Sequence, residues 1–326
     1  NETEPVFFEA TKEEVELAVE KAAKAFTGYK RKTDAEKAKF LEAISEELES
    51  NADALKKVYR AESGLPEGRS SGELSRTTTQ LKAFAEMLRE GSWVEAIISN
   101  PEGKSDIRQM QVPFGPVAVF GASNFPFAFS TAGGDTASAL ASGSPVVVKS
   151  HPLHAGTGEL VSEAIIKAAK KTGMPDGVFS NLNSKGIEVG EWLVKHPGIK
   201  AVGFTGSYKA GTALCKLAAG RAEPIPVYAE MGSVNPVVIL PSALKEKGED
   251  WAEKYAASII LGAGQFCTKP GLIIGIESPE LDNFIQQLGQ NLANNLAPAV
   301  MLSPDIQKQY ENSKAKVLAQ DGYTQV

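Results

Sequence analysis

Val117-Ala118-Val119-Phe120-Gly121-Ala122-Ser123-Asn124-Phe125-Pro126 runs through an alanine-rich stretch into Val146-Val147-Val148-Lys149, and this succession decides the fold. Neither apolar run alternates with polar residues, as expected for strands of a parallel sheet covered on both faces. The alanine-rich stretch between them has helical character. The same pattern returns at Ala201–Phe204 and Val227–Ala229. Alternating strands and helices predict a doubly wound α/β domain over 113–231, with ligands at the carboxyl ends of the strands.

Working outward, residues 1–94 read as helices. Thr11 with Glu14, and Thr33 with Glu36, are capping-box pairs that open stretches with apolar residues at helical spacing. A further helix is expected from Leu74 to Leu88, stopped by Gly91. Residues 95–112 are polar and irregular, and fit a protruding hairpin or a plain loop equally. Residues 232–326 open a second α/β region, with strands at Val237–Leu240 and Leu272–Ile276 and a helix at Trp251–Leu261.

The chain has 326 residues, enough for two cores, with 42% hydrophobic and 23% charged residues. A net charge of −6 argues against a nucleic-acid partner. No segment approaches the roughly 18 apolar residues of a membrane span, so no membrane is expected. Asn1–Ala10 show neither a basic nor an apolar signal region, so no signal peptide is expected. Two cysteines, Cys215 and Cys267, make no disulfide framework and fit a cytoplasmic protein.

Cys267, in Gly264-Gln265-Phe266-Cys267-Thr268, stands at a helix-to-loop junction; it is either a carbonyl-attacking thiolate or a small buried apolar residue. Cys215, among Leu214 and Leu217, reads as the latter. Asn124 directly follows a strand, where its amide can donate to a developing oxyanion or shape a turn. Glu230, in Tyr228-Ala229-Glu230-Met231-Gly232, ends another strand and is either a general base or a surface carboxylate. Lys149 is either a solvated charge or a ligand of a cofactor hydroxyl or phosphate. Phe204-Thr205-Gly206-Ser207-Tyr208-Lys209-Ala210-Gly211 opens a helix after a strand, an arrangement that brings backbone amides to a pyrophosphate. It lacks the Gly-x-Gly-x-x-Gly fingerprint. His151, His154 and His196 have no metal-ligand spacing, and no metal is expected. Phe125, Phe127, Phe129 and Phe266 fit either an aromatic substrate approach or core packing.

In this order, Asn124-Phe125-Pro126, Val-Val-Val-Lys149, Gly206-Ser207, Glu230-Met231-Gly232 and Gln265-Phe266-Cys267 resemble the motif series of the aldehyde dehydrogenase superfamily. Ser144-Pro145 before the lysine strand, Ser-His-Pro-Leu-His after it, and Cys-Thr-Lys-Pro-Gly resemble the branch of α-ketoglutaric semialdehyde dehydrogenases and luminous-bacteria fatty aldehyde dehydrogenases. The resemblance implies a Rossmann-like dinucleotide-binding domain beside a catalytic α/β domain. It implies NAD(P)-dependent oxidation of an aldehyde, such as a semialdehyde, to an acid. Cys267 would be the nucleophile, Asn124 and the Cys267 N–H the oxyanion donors, and Glu230 the base that activates water. Lys149, His151, Gly186, Gly190, Phe204, Gly206, Ser207 and Met231 would contact the cofactor. Residues 95–112 would form an arm joining a homodimer or homotetramer.

Two departures stand out. Many family members carry an acidic residue three positions after the strand-ending lysine; here it is Pro152, so NADP is expected to be preferred over NAD. The family's later Glu-x-Phe-Gly-Pro segment does not occur before Val326, so the catalytic domain is expected to be incomplete. The competing functions are a long-chain fatty aldehyde dehydrogenase, a coenzyme A-acylating enzyme, an esterase and a non-catalytic family member.

Overall fold

The computed structural model describes residues 6–100, 102–103, 105–295 and 299–322. They divide into two compact units, Asn1–Met231 and Gly232–Val326.

The first unit opens with helices α1 (Lys12–Tyr29), α2 (Asp34–Ser50), α3 (Ala52–Ser63) and α4 (Glu67–Glu90). Both capping boxes form. Glu36 Oε2 accepts the Thr33 N–H at 2.8 Å while Thr33 Oγ1 accepts the Glu36 N–H at 3.2 Å, satisfying two donors that the helix leaves unpaired. Gly91 ends α4 with φ of 86°, a conformation that a Cβ disfavours. The helix starts at Glu67, well before Leu74; the buried residues of its first two turns are Ser70 and Glu73, so no apolar periodicity marks them in the sequence.

Strands β1 (Ile97–Ser99) and β2 (Ile107–Gln109) pair antiparallel, with Ile97 opposite Gln109. The stretch is therefore a hairpin rather than a plain loop, and all six strand residues are exposed.

The central sheet comprises β3 (Val117–Phe120), β4 (Val146–Lys149), β5 (Phe179–Leu182), β6 (Ala201–Gly206) and β7 (Val227–Met231). Their order is β5-β4-β3-β6-β7, with every pairing parallel. Helices α5 (Gly134–Ser142), α6 (Ala155–Lys171), α7 (Glu188–Lys195) and α8 (Tyr208–Ala219) make the crossovers. Alternate strand residues enter opposite cores, which explains the unbroken apolar runs. Val119, Val148 and Ala201 pack with Phe40, Leu41 and Ile44 of α2, Leu81 of α4 and Ile165 of α6. Ala118, Phe120, Val147, Val202 and Phe204 pack with Val15 and Val19 of α1, Leu193 of α7 and Leu214 of α8. Each of the Val, Leu, Ile and Phe side chains contributes about 1.5–3 kcal/mol on burial. The strand order reverses between β3 and β6, which opens a crevice at their carboxyl ends.

In the second unit β8 (Pro236–Ile239) pairs parallel with β9 (Leu272–Gly275). Helices α9 (Pro241–Ile260), α10 (Pro279–Asn295) and α11 (Pro304–Leu318) complete it. Ile239, Leu244, Ala252 and Phe284 form its core. Helix α9 begins at Pro241 rather than Trp251, since proline suits the first helical position. No described helix is long and apolar enough to cross a membrane.

Candidate active site

The residues expected to hold a cofactor gather at the carboxyl ends of the central strands. Ser207 caps α8, its Oγ accepting the Ala210 N–H at 3.3 Å, and it is exposed. The amides of the first turn of α8 thus form an open, electropositive helix end. A Cβ at Gly211 would come within 2.6 Å of Met231 Sδ and 3.1 Å of the Phe204 ring. A side chain at Gly206 would meet that ring at 2.7 Å. Gly211 lets α8 lie close against β6 and β7, so Phe204 and Met231 pack beneath the helix end.

Lys149 ends β4 half-buried, and its Nζ donates to the Ser184 carbonyl at 2.6 Å. Burial lowers its pKa to about 8. Ser184 Oγ donates to the Gly186 carbonyl at 3.2 Å, so Lys149 and Gly186 belong to one cluster. Gly190 opens α7 against Phe120, where a Cβ would stand 3.1 Å from the ring. His151 Nδ1 accepts the Leu153 N–H at 3.2 Å and the ring stacks on His154 at 5.2 Å. Burial, with the neighbouring His154 and Lys149, lowers its pKa to about 3, so it is neutral and keeps Nε2 as a donor. Pro152 is exposed beside it, whereas Ser150 is 1% exposed and lies under Gly158.

Asn124 stands half-buried in the turn that leaves β3. Phe127 stacks on Tyr59 at 4.8 Å and is core, as is the buried Phe125. Phe129 is half-exposed and meets Phe125 edge-on at 4.8 Å. The aromatic group is therefore divided between packing and the surface. Glu230 is exposed on β7 and pairs in register with Thr205 of β6. Thr205 Oγ1 donates to Asp135 Oδ2 at 3.4 Å. Burial and the Glu230 charge raise the Asp135 pKa, against that hydrogen bond.

Cys267 lies in the second unit, half-buried, in the turn between α9 and β9. Asn235 shapes that turn: its Nδ2 donates to the carbonyls of Cys267 at 2.6 Å and Lys269 at 2.9 Å. Asn235 itself adopts φ of 48°, which asparagine tolerates. Sequence reasoning passed over it, although an asparagine before proline at a strand start signals a turn. Cys215 is half-buried on α8 rather than wholly within the core. Among the described residues no group of three or more His, Cys, Asp and Glu side chains is placed to hold a metal.

The aldehyde dehydrogenase family profile matches residues 6–320. The chain is 48% identical over 328 residues to α-ketoglutaric semialdehyde dehydrogenase 2 of Azospirillum brasilense, covering 99% of this chain and 62% of that protein. It is 46% identical over 324 residues to α-ketoglutaric semialdehyde dehydrogenase of Acinetobacter baylyi, covering 98% of this chain and 61% of that protein. The chain thus spans less than two thirds of the length of these relatives. Among solved structures, an NAD-dependent benzaldehyde dehydrogenase from Corynebacterium glutamicum superposes with a TM-score of 0.82 at 25% identity, over 98% of this chain and 69% of its own. Glyceraldehyde-3-phosphate dehydrogenase of Methanocaldococcus jannaschii, complexed with NADP, shares the fold with a TM-score of 0.84 at 24% identity, over 97% and 68%. The chain belongs to the aldehyde dehydrogenase family.

Proposed function

We propose that the protein oxidises the aldehyde group of a short semialdehyde, of the α-ketoglutaric semialdehyde kind, to a carboxylic acid through a thioester on Cys267. The observation that carries this reading is the 48% identity to a semialdehyde dehydrogenase across 99% of the chain. In this mechanism the Cys267 thiolate attacks the aldehyde carbon and the carbonyl oxygen becomes an oxyanion. The Asn124 amide and the Cys267 N–H donate to that oxygen. Collapse of the oxyanion expels the former aldehyde hydrogen with its electron pair, as hydride, and leaves the thioester. Glu230 then takes a proton from water, which attacks the thioester, releasing the acid and restoring the thiolate.

A nicotinamide cofactor, when bound, supplies the two-electron oxidant. The open end of α8, the close glycine packing at Gly206 and Gly211, and the half-buried Lys149 ammonium fit a pyrophosphate and a ribose. Ser207 would hold the pyrophosphate, Lys149 and His151 the adenosine ribose, and Gly186 and Gly190 would line its side. With Pro152 in place of a carboxylate, nothing at that position repels a 2′-phosphate, so NADP is preferred and NAD accepted. The exposed hairpin β1–β2 would join subunits in a homodimer or homotetramer, and the two free thiols suit the cytoplasm.

Glu230 favours hydrolysis of the thioester over transfer to coenzyme A, because transfer needs no base to activate water. The test is formation of reduced cofactor with α-ketoglutaric semialdehyde, with and without coenzyme A. Turnover to the free acid without coenzyme A is expected. Turnover that requires coenzyme A would replace hydrolysis with acyl transfer, and none with any aldehyde would contradict the function.

A further inference from the structure

Helix α4 presents Arg69, Glu73 and Arg76 at positions i, i+4 and i+7, one stripe of side chains, to the turn that carries Asn124. Glu73 is 4% exposed, and its Oε1 accepts the N–H groups of Phe127 at 2.8 Å and Ala128 at 3.0 Å. Its Oε2 accepts the Tyr59 hydroxyl at 2.7 Å and Arg69 Nε at 3.2 Å. Arg69 lies over the Phe125 ring at 4.2 Å and its Nη2 donates to the Asn124 carbonyl at 3.4 Å. Two turns on from Arg69, Arg76 lies over the half-exposed Phe129 ring at 4.9 Å. The stripe therefore holds two guanidinium groups and one carboxylate, and that carboxylate is already engaged by Arg69, Tyr59 and two backbone amides. Arg76 is exposed, and among the described residues no carboxylate stands within ion-pair distance of it. Stacking occupies the face of a guanidinium but leaves its in-plane N–H donors, which match a carboxylate in pairs.

We infer that Arg76 selects the substrate, accepting the distal carboxylate of a short ω-oxo acid whose aldehyde oxygen is held at Asn124. This rests on the proposed aldehyde oxidation and names the residue that separates charged semialdehydes from neutral alkyl aldehydes. Phe129 orients the guanidinium, and Glu73 neutralises its neighbour without neutralising Arg76. A lysine at this position keeps the charge but loses the planar two-point match.

The experiment compares kcat/KM for succinic semialdehyde and for butanal, which have equal numbers of carbons, in the parent, Arg76→Ala and Arg76→Lys. Loss of a charge-assisted hydrogen bond corresponds to roughly ten- to a hundredfold. Arg76→Ala is expected to lower the semialdehyde-to-butanal ratio by that factor, chiefly through the KM for the semialdehyde. Arg76→Lys is expected to recover part of the ratio. A ratio unchanged in Arg76→Ala, or an equal fall for both aldehydes, would overturn the assignment while leaving aldehyde oxidation standing. A parent that oxidises neither aldehyde would instead contradict the function on which it rests.

Discussion

Cys267 and Cys215 have the same chemistry and similar half-buried exposure, so what separates them is their setting. Cys267 sits in a turn whose carbonyls are fixed by Asn235, and Cys215 sits on the regular helix α8. Cys267→Ser should abolish aldehyde oxidation, because a hydroxyl near neutral pH is a far poorer nucleophile than a thiolate. Cys215→Ser should leave the rate nearly unchanged; equal effects in a steady-state assay would count against the nucleophile. The strand-end positions of Asn124, Lys149 and Glu230 were legible because an apolar run points directly at them. Asn235 offered only the signal of a turn and Arg76 none, since their partners, Cys267 and Phe129, are distant in sequence.

At the scale of elements, the proposed cofactor preference rests on the junction of β4 and α6. Burial lowers Lys149 to about 8, so its ammonium is present below that pH and lost above it. Attraction to a 2′-phosphate should weaken as pH rises through about 8, whereas NAD, which lacks the phosphate, should be spared. The KM for NADP relative to NAD is therefore expected to climb across that pH, and Pro152→Glu to shift preference toward NAD at every pH. A flat ratio unmoved by the substitution would separate this junction from the ribose. The lowered pKa also has a stability consequence of fixed sign: between about 8 and the ordinary 10.5 the unfolded chain binds the extra proton, so stability rises with pH in that window. Four of the five central strands were legible from their apolar runs, but β5 was not. It is an edge strand reading Phe179-Ser180-Asn181-Leu182, and its polar residue Asn181, with Asn183 just beyond, donates to Glu159 of α6 instead of entering a core. Helix α3 was likewise missed, as only Leu55, Tyr59 and Ser63 of its twelve residues are buried.

For the whole molecule, Glu73 ties together α3, α4 and the turn after β3, and thereby the core and the candidate oxyanion donor. Glu73→Ala should strip two buried amides and Arg69 of their acceptor, costing about 3–5 kcal/mol as for other broken buried pairs. A denaturant midpoint unchanged by the substitution would show that the turn is held elsewhere. The two-unit division follows from the switch between the β-rich runs before Glu230 and the new strand at Pro236, a boundary visible as a break in pattern. The central claim concerns a covalent intermediate, and Glu230→Gln exposes it most directly. With cofactor and semialdehyde this variant should form the thioester in a burst and hydrolyse it roughly 10²–10⁴-fold more slowly. Mass spectrometry of the quenched protein should then find the acyl group on the peptide containing Cys267. No acyl adduct at Cys267, with cofactor nonetheless reduced, would contradict the account.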